Sequence, residues 1–197
     1  MTNLPLGILG GIFDPVHNGH LSLATLARDC FSLDTIVFIP SGTPPHKTSS
    51  VCASGEERLK MLRIALRNFD EAHIWESELR RNGYSYTIDS LHQLRDKYGS
   101  RPIHFIVGSD NLTEIKTWRE FRQILEMVTL CVAHRPGFAM DIPEELAGAK
   151  IETFASPQWA LSSSMLRSYI RKGLSCRYLM PDPVISYIYE NKLYGSA

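Results

Sequence analysis

Two histidines, His17 and His20, stand three residues apart behind a glycine pair in Leu6-Gly7-Ile8-Leu9-Gly10-Gly11-Ile12-Phe13-Asp14-Pro15-Val16-His17-Asn18-Gly19-His20. Imidazoles can donate hydrogen bonds, carry protons or ligate a metal, and their surroundings select among these roles. Gly10 and Gly11 permit a sharp turn and the close approach of a ligand to the main chain. Pro15 fixes the turn that follows, and Asn18 is suited to cap a helix beginning near Gly19. A helix start offers free N–H groups and a partial positive charge, so both rings would lie beside a bound anion. The loop matches neither G-x-G-x-x-G nor G-x-x-x-x-G-K-[ST], so neither a dehydrogenase nor a P-loop kinase is supported. Two other readings stay open on the residues alone. One is a pair of capping or surface histidines. The other is a zinc site with His46 as third ligand, although no H-E-x-x-H frame is present.

The elements that must hold this loop are legible as an alternation. Apolar runs at 6–9, 35–39, 72–75, 103–107, 129–133 and 151–154 read as strands. Between them lie amphipathic stretches. Leu21, Ala24, Leu26 and Ala27 give the first its buried face; Ser54 and Glu57 form a capping box before Leu59, Leu62, Ala65 and Leu66. Ile88, Leu91, Leu94 and Tyr98 mark a third helix over 87–98. This rhythm predicts an α/β fold, a doubly wound Rossmann-like parallel sheet with a C-terminal helical extension. The chain reads as one domain over 1–197, with 162–197 a helical tail packed on it, Gly173 closing one tail helix and Pro183 opening the next. In such a sheet ligands bind beyond the C-terminal strand ends, where the polar and Gly/Pro-rich stretches after five of the strands would converge.

Composition narrows the class. The 197 residues are 44% hydrophobic and 21% charged, as in a soluble globular protein. Lys plus Arg equals Asp plus Glu at 21 each, so no global field draws the chain to nucleic acid or to a membrane surface. The longest aliphatic or aromatic runs are about four residues, far short of a membrane span, and no signal peptide is read. Cys30, Cys52, Cys131 and Cys176 are scattered without a C-x-x-C pair, which fits a reduced, cytoplasmic compartment.

Residues 10–20, GGIFDPVHNGH, resemble the GGTFDPxHxGH signature of the HxGH nucleotidyltransferases, and Leu161-Ser162-Ser163-Ser164-Met165-Leu166-Arg167 resembles their ISSTxIR signature. Pro44-Pro45-His46-Lys47, Ser85-Tyr86-Thr87, Gly108-Ser109-Asp110 with Trp118, and Arg135-Pro136-Gly137 narrow the resemblance to the bacterial nicotinate-nucleotide adenylyltransferases, over essentially the whole chain. Ile12, Leu161 and Ser164 depart from the pattern, and Ile12 removes a hydroxyl near the phosphates.

The resemblance implies transfer of the adenylyl group of ATP to nicotinate mononucleotide, giving nicotinate adenine dinucleotide and pyrophosphate in NAD biosynthesis. It makes His17, His20 and Arg167 the catalytic residues. ATP would be held by these three with Gly10, Gly11, Ile12, Phe13, Gly19, Gly108, Asp110, Ser162 and Ser163. Nicotinate mononucleotide would meet Ser41, His46, Lys47, Tyr86, Thr87, Trp118, Arg119 and Arg135. On the residues themselves Lys47 suits a point charge for a phosphate or an exposed loop lysine, and Trp118 a face for the pyridine ring or a core tryptophan beside Phe121, while the resemblance places the Thr87 and Arg119 amides as donors to the carboxylate. Mg2+ would be carried mainly by the ATP phosphates, with no dedicated protein metal site. The nearest alternatives are transfer to nicotinamide mononucleotide or another phosphate acceptor. A non-catalytic nucleotide sensor is the alternative from another class. Tyr98, Tyr187, Tyr189 and Tyr194 read as packing, and a homo-oligomer stays open.

Overall fold

A computed structural model describes residues 4–43, 51–109, 112–134, 142–157 and 160–196. Six strands form one all-parallel sheet: β1 (Leu6–Gly11), β2 (Thr35–Pro40), β3 (Ala72–Ile74), β4 (Ile103–Gly108), β5 (Thr129–His134) and β6 (Ile151–Ala155), in spatial order β3-β2-β1-β4-β5-β6. Every strand expected from the apolar runs is present. Because both faces are covered, the central strands are apolar throughout rather than alternating, as β2 (TIVFIP, wholly buried) shows. Successive residues still face opposite ways. Ile36 and Phe38 join one core cluster, Val37 and Ile39 the other.

The first cluster is covered by α1 (Asn18–Phe31), α2 (Gly55–Leu66), α7 (Ser163–Arg171) and α8 (Asp182–Glu190) through Ala24, Met61, Leu166, Ile188 and their neighbours. The second lies under α4 (Thr87–Tyr98) and α6 (Phe121–Met127), with Leu91, Leu94 and Ile124 fully buried. Two one-turn helices, α3 (Ser77–Arg80) and α5 (Leu112–Ile115), precede α4 and α6.

The capping box expected before the second helix is formed. Glu57 N–H donates to Ser54 Oγ at 3.2 Å, and Ser54 N–H to Glu57 Oε2 at 2.6 Å. Its buried stripe differs from expectation: Arg58 and Met61 join Leu62 and Leu66, while Leu59 and Ala65 are only partly buried. In the tail, Gly173 follows α7 with φ +66° and Pro183 sits in the first turn of α8, as expected. No described helix is long and apolar enough to cross a membrane.

The sheet order reverses between β1 and β4. Their pairing runs only from Leu6↔Ile103 to Ile8↔Phe105, whereas β1 pairs with β2 along its whole length to Gly11↔Pro40. Past Ile8 and Phe105 the two central strands are no longer paired, and their carboxyl ends carry Gly10 and Gly11 on one and Gly108 on the other. This is the topological switch point where an open α/β sheet takes its ligand.

Candidate active site

The loop from β1 to α1 turns at a residue other than the expected one. Gly10 and Gly11 belong to β1, and neither has a positive φ; the chain reverses at Phe13, with φ +52°. Phe13 tolerates this conformation because its ring is fully buried against Phe38 and the edge of His20. The glycines serve space instead. A Cβ on Gly10 would meet only Phe105 Cζ at 3.8 Å, so the strand end presents bare backbone to a ligand. Gly19 works differently, since a Cβ there would press on His17 Nδ1 at 3.0 Å. The glycine between the histidines thus allows the first ring to fold over the helix start.

His17, not Asn18, is the N-cap of α1. Asn18 begins the helix, and its side-chain amide donates to Tyr178 O at 2.8 Å while its N–H donates to Leu179 O at 3.0 Å, tying the loop to the tail. The two imidazoles stack with centroids 3.7 Å apart. His20 Nδ1 accepts the His17 N–H at 3.2 Å, so in the neutral ring the proton resides on Nε2. His17 Nδ1 is buried and has no hydrogen-bond partner among the described residues. Burial lowers the His17 pKa to about 4. Burial, and then the neighbouring His17, lower that of His20 well below the ordinary range. Both are therefore neutral hydrogen-bonding groups at pH 7.

Asp14 is the hub that the sequence reading missed. It is 1% exposed and follows the turn, with a cis bond to Pro15. Its Oδ2 accepts Cys52 N–H at 2.7 Å, and its Oδ1 accepts Ala53 N–H at 3.1 Å and the Tyr194 hydroxyl at 2.7 Å. Tyr194 therefore does more than pack, contrary to expectation, and burial together with this bond to a carboxylate raises its pKa. Arg167 Nη1 donates to the Asp14 carbonyl at 2.6 Å and lies 3.7 Å from Oδ2. Ser163 Oγ donates to Pro15 O at 2.9 Å, while Ser162 caps α7 by accepting Met165 N–H at 3.2 Å. The second signature thus lands on the first. The expected Arg167 is at the loop, with one guanidinium nitrogen bracing it.

Arg58 is the second omission. It is 2% exposed, and its Nη1 donates to Ile12 O at 2.7 Å and Ser41 O at 2.8 Å, joining the loops after β1 and β2. Burial lowers its pKa against the pull of Asp14, yet a guanidinium remains charged at any working pH. A charged residue on the apolar stripe of α2, three and four positions before Met61 and Leu62, was its signal in the sequence.

A second group of expected residues gathers with the core cluster on the opposite face of the sheet. Trp118 meets Phe105 of β4 edge-on at 5.7 Å, and the Arg119 guanidinium lies 4.9 Å over the Tyr86 ring. Tyr86 is the N-cap of α4 and Thr87 its first residue. The amides of Thr87 and Arg119 make no main-chain hydrogen bond among the described residues. Ser85 N–H donates to Thr43 O at 3.2 Å, which fastens this segment to the loop carrying Ser41. Underneath, the buried Glu78 accepts Ser90 Oγ at 2.7 Å, and burial raises its pKa. His46, Lys47, Asp110 and Arg135 lie outside the described residues.

The split sheet, its bare strand end and the paired imidazoles define a nucleotide-binding α/β protein. The family model for cytidylyltransferase-like proteins matches residues 8–169, and the chain belongs to that family. It is 40% identical to the probable nicotinate-nucleotide adenylyltransferase of Citrifermentans bemidjiense, over 98% of this chain and 99% of the relative. It is 38% identical to that of Desulfitobacterium hafniense strain Y51, over 96% and 95%. Within the larger family it is thus a member of the nicotinate-nucleotide adenylyltransferases. The structure of Plasmodium falciparum nicotinic acid mononucleotide adenylyltransferase complexed with NaAD shares the fold, with a TM-score of 0.76 at 20% identity over 98% of both chains.

Proposed function

We propose that this chain transfers the adenylyl group of ATP to nicotinate mononucleotide, forming nicotinate adenine dinucleotide and releasing pyrophosphate. The carrying observation is the pair of stacked neutral imidazoles at the start of α1, beside the parting of β1 and β4. A phosphate oxygen of the mononucleotide attacks the α-phosphorus, the bond from that phosphorus to its β-bridging oxygen breaks, and pyrophosphate leaves. No enzyme nucleophile is needed, so the protein contributes positioning and stabilisation of developing charge. His20, its Nδ1 held by a main-chain N–H, offers Nε2–H to a phosphate oxygen. His17 acts beside it, and Arg167 supplies a fixed positive charge behind the loop. Trp118, Tyr86 and the amides of Thr87 and Arg119 receive the pyridine ring and its carboxylate.

Among the described residues no group of three or more His, Cys, Asp or Glu could hold a metal, and both Asp14 oxygens are engaged by protein donors. We assign Mg2+ mainly to the ATP phosphates, where it would offset their charge, without a dedicated cage of protein carboxylates. The chain is proposed to act as one domain over residues 1–197, and in the cytoplasm, the latter supported by four cysteines that form no disulfide. The test is pyrophosphate release from ATP with a panel of acceptor phosphates. Turnover with nicotinate mononucleotide far above the other acceptors is expected. No turnover with any acceptor would support the nucleotide-sensor alternative.

A further inference from the structure

A second cleft, of about 560 Å3, opens at the end of β3, between α3 and the face of α4 that carries Lys97. It shares no residue with the site above, and β2 separates its strand from β1. Its volume lies in the range of small-molecule sites. Three of its lining residues hold buried polar atoms with no hydrogen-bond partner among the described residues: Nε1 of Trp75, Oγ of Ser77 and Nη2 of Arg81. Buried polar atoms are normally matched, so three orphans around one cleft point to a ligand. Two of them can only donate and the third can, which suits an acceptor-only group.

The charges agree. Arg80, Arg81 and Lys97 line the cleft, and its one carboxylate, Glu76, is already engaged by Arg63 at 2.5 Å and Arg80 at 2.6 Å. Arg81 gives Nη1 to Asp89 at 3.4 Å, which leaves Nη2 for another acceptor. Lys97 Nζ rests over the Trp75 ring at 4.7 Å from its centroid. Lys97 is exposed and its stem is flexible, so it can swing off and uncover a flat aromatic face. We propose that this cleft binds a small oxyanion borne on a planar ring, with the anionic group met by Trp75, Ser77, Arg81 and Lys97 and the ring lying on Trp75. The phosphate of a nucleotide and the carboxylate of an aromatic acid share this chemistry.

The experiment follows the Trp75 indole N–H in 15N-labelled full-length protein, assigned with Trp75→Phe, during titration with inorganic phosphate, AMP and nicotinate at constant ionic strength. A saturable downfield shift of that signal is expected, with a Kd of about 1 mM or tighter for at least one ring-bearing probe. Inorganic phosphate should bind more weakly than AMP. Response to AMP but not nicotinate assigns the anionic group as phosphate, and the reverse assigns it as carboxylate. Arg81→Met should weaken binding about tenfold or more. Lys97→Met, an exposed change that leaves the fold intact, should weaken it severalfold, so the test survives a poorly folded Arg81 variant. AMP bound in the β1/β4 crevice would move other signals. An unmoved Trp75 indole with all three probes, or a titration unchanged by Lys97→Met, overturns the proposal.

Discussion

Burial keeps His17 and His20 uncharged at pH 7, with the His17 pKa at about 4 and that of His20 well below its ordinary value. In the reaction proposed above they would meet the triphosphate as oriented N–H dipoles rather than as cations. Removing one such donor from a preorganised site costs roughly 10²–10³-fold in kcat. His20→Ala should lose that much in pyrophosphate release while remaining folded by circular dichroism. A near-wild-type rate would remove His20 from the chemistry. The same burial makes stability depend on pH. In the unfolded chain both rings titrate near 6.5, so below that pH the unfolded state holds protons that the folded state refuses. Stability should be complete above about pH 6.5 and fall as pH drops towards about 4, by at most about 1.4 kcal/mol per pH unit for each histidine. Urea titrations across that range should show the decline. A His17→Asn, His20→Asn protein should show a flatter one, and an unflattened profile would assign the effect to other groups.

At the scale of elements, the loop after β2 is set by contacts that leave no slack. Gly42, just after β2, lies so close to α3 that a Cβ would stand 2.1 Å from the Glu78 carbonyl oxygen and 2.7 Å from Ser85 Oγ. Gly42→Ala should therefore displace the Ser41–Thr43 loop. We expect it to lower the urea midpoint, by an amount typical of overpacking at about 1–3 kcal/mol, and to raise KM for the acceptor. An alanine variant with wild-type KM would show that this loop does not seat the acceptor. The strands and the main helices were legible in the sequence because apolar period and capping chemistry are local signals. Ser54 and Glu57, three residues apart, announce α2 without help from the rest of the chain. Asp14, Arg58 and Tyr194 were not legible in the same way. Their partners are 39, 46 and 180 residues distant, and only the fold brings them together. The expected turn at Gly10 and Gly11 fell instead at Phe13, because tertiary burial of the ring outweighed glycine's local preference for a positive φ. The motif still named the right loop. It could not say which of its residues would carry the bend.

Across the whole molecule, the proposed function gives the crevice a nucleotide side, braced by the tail, and an acceptor side, built by α4 and the segment around Trp118. The acceptor side should discriminate between acid and amide. A carboxylate accepts hydrogen bonds only, whereas a carboxamide would turn an NH2 towards the donors at Thr87 and Arg119. At about 1–3 kcal/mol for each lost bond, two such bonds give a preference of roughly several hundred-fold for nicotinate over nicotinamide mononucleotide. Measured kcat/KM values of similar size for the two acceptors would overturn this specificity while leaving adenylyl transfer intact. The braced side is tested by Tyr194→Phe, which keeps the ring and removes only the hydroxyl on Asp14. We expect a loss of about 1–3 kcal/mol in urea unfolding and a fall in kcat as the first loop loosens. An unchanged midpoint would reduce Tyr194 to packing.

The hydrogen bond from Tyr194 to Asp14 also has a history in time. The two residues are 180 apart in the chain. At synthesis rates of roughly 5–20 residues per second, the carboxylate leaves the peptidyl-transferase centre some 10–40 s before the hydroxyl that will meet it has been made. During that interval the strands of the growing chain can pair in order, but the first loop lacks its tie to Tyr194, and for most of it the ties to Ser163 and Arg167 as well. A ribosome-bound chain would therefore carry a recognisable nucleotide fold before it carried a competent catalytic loop. Competence is acquired late, as the tail closes back on the segment that was translated first.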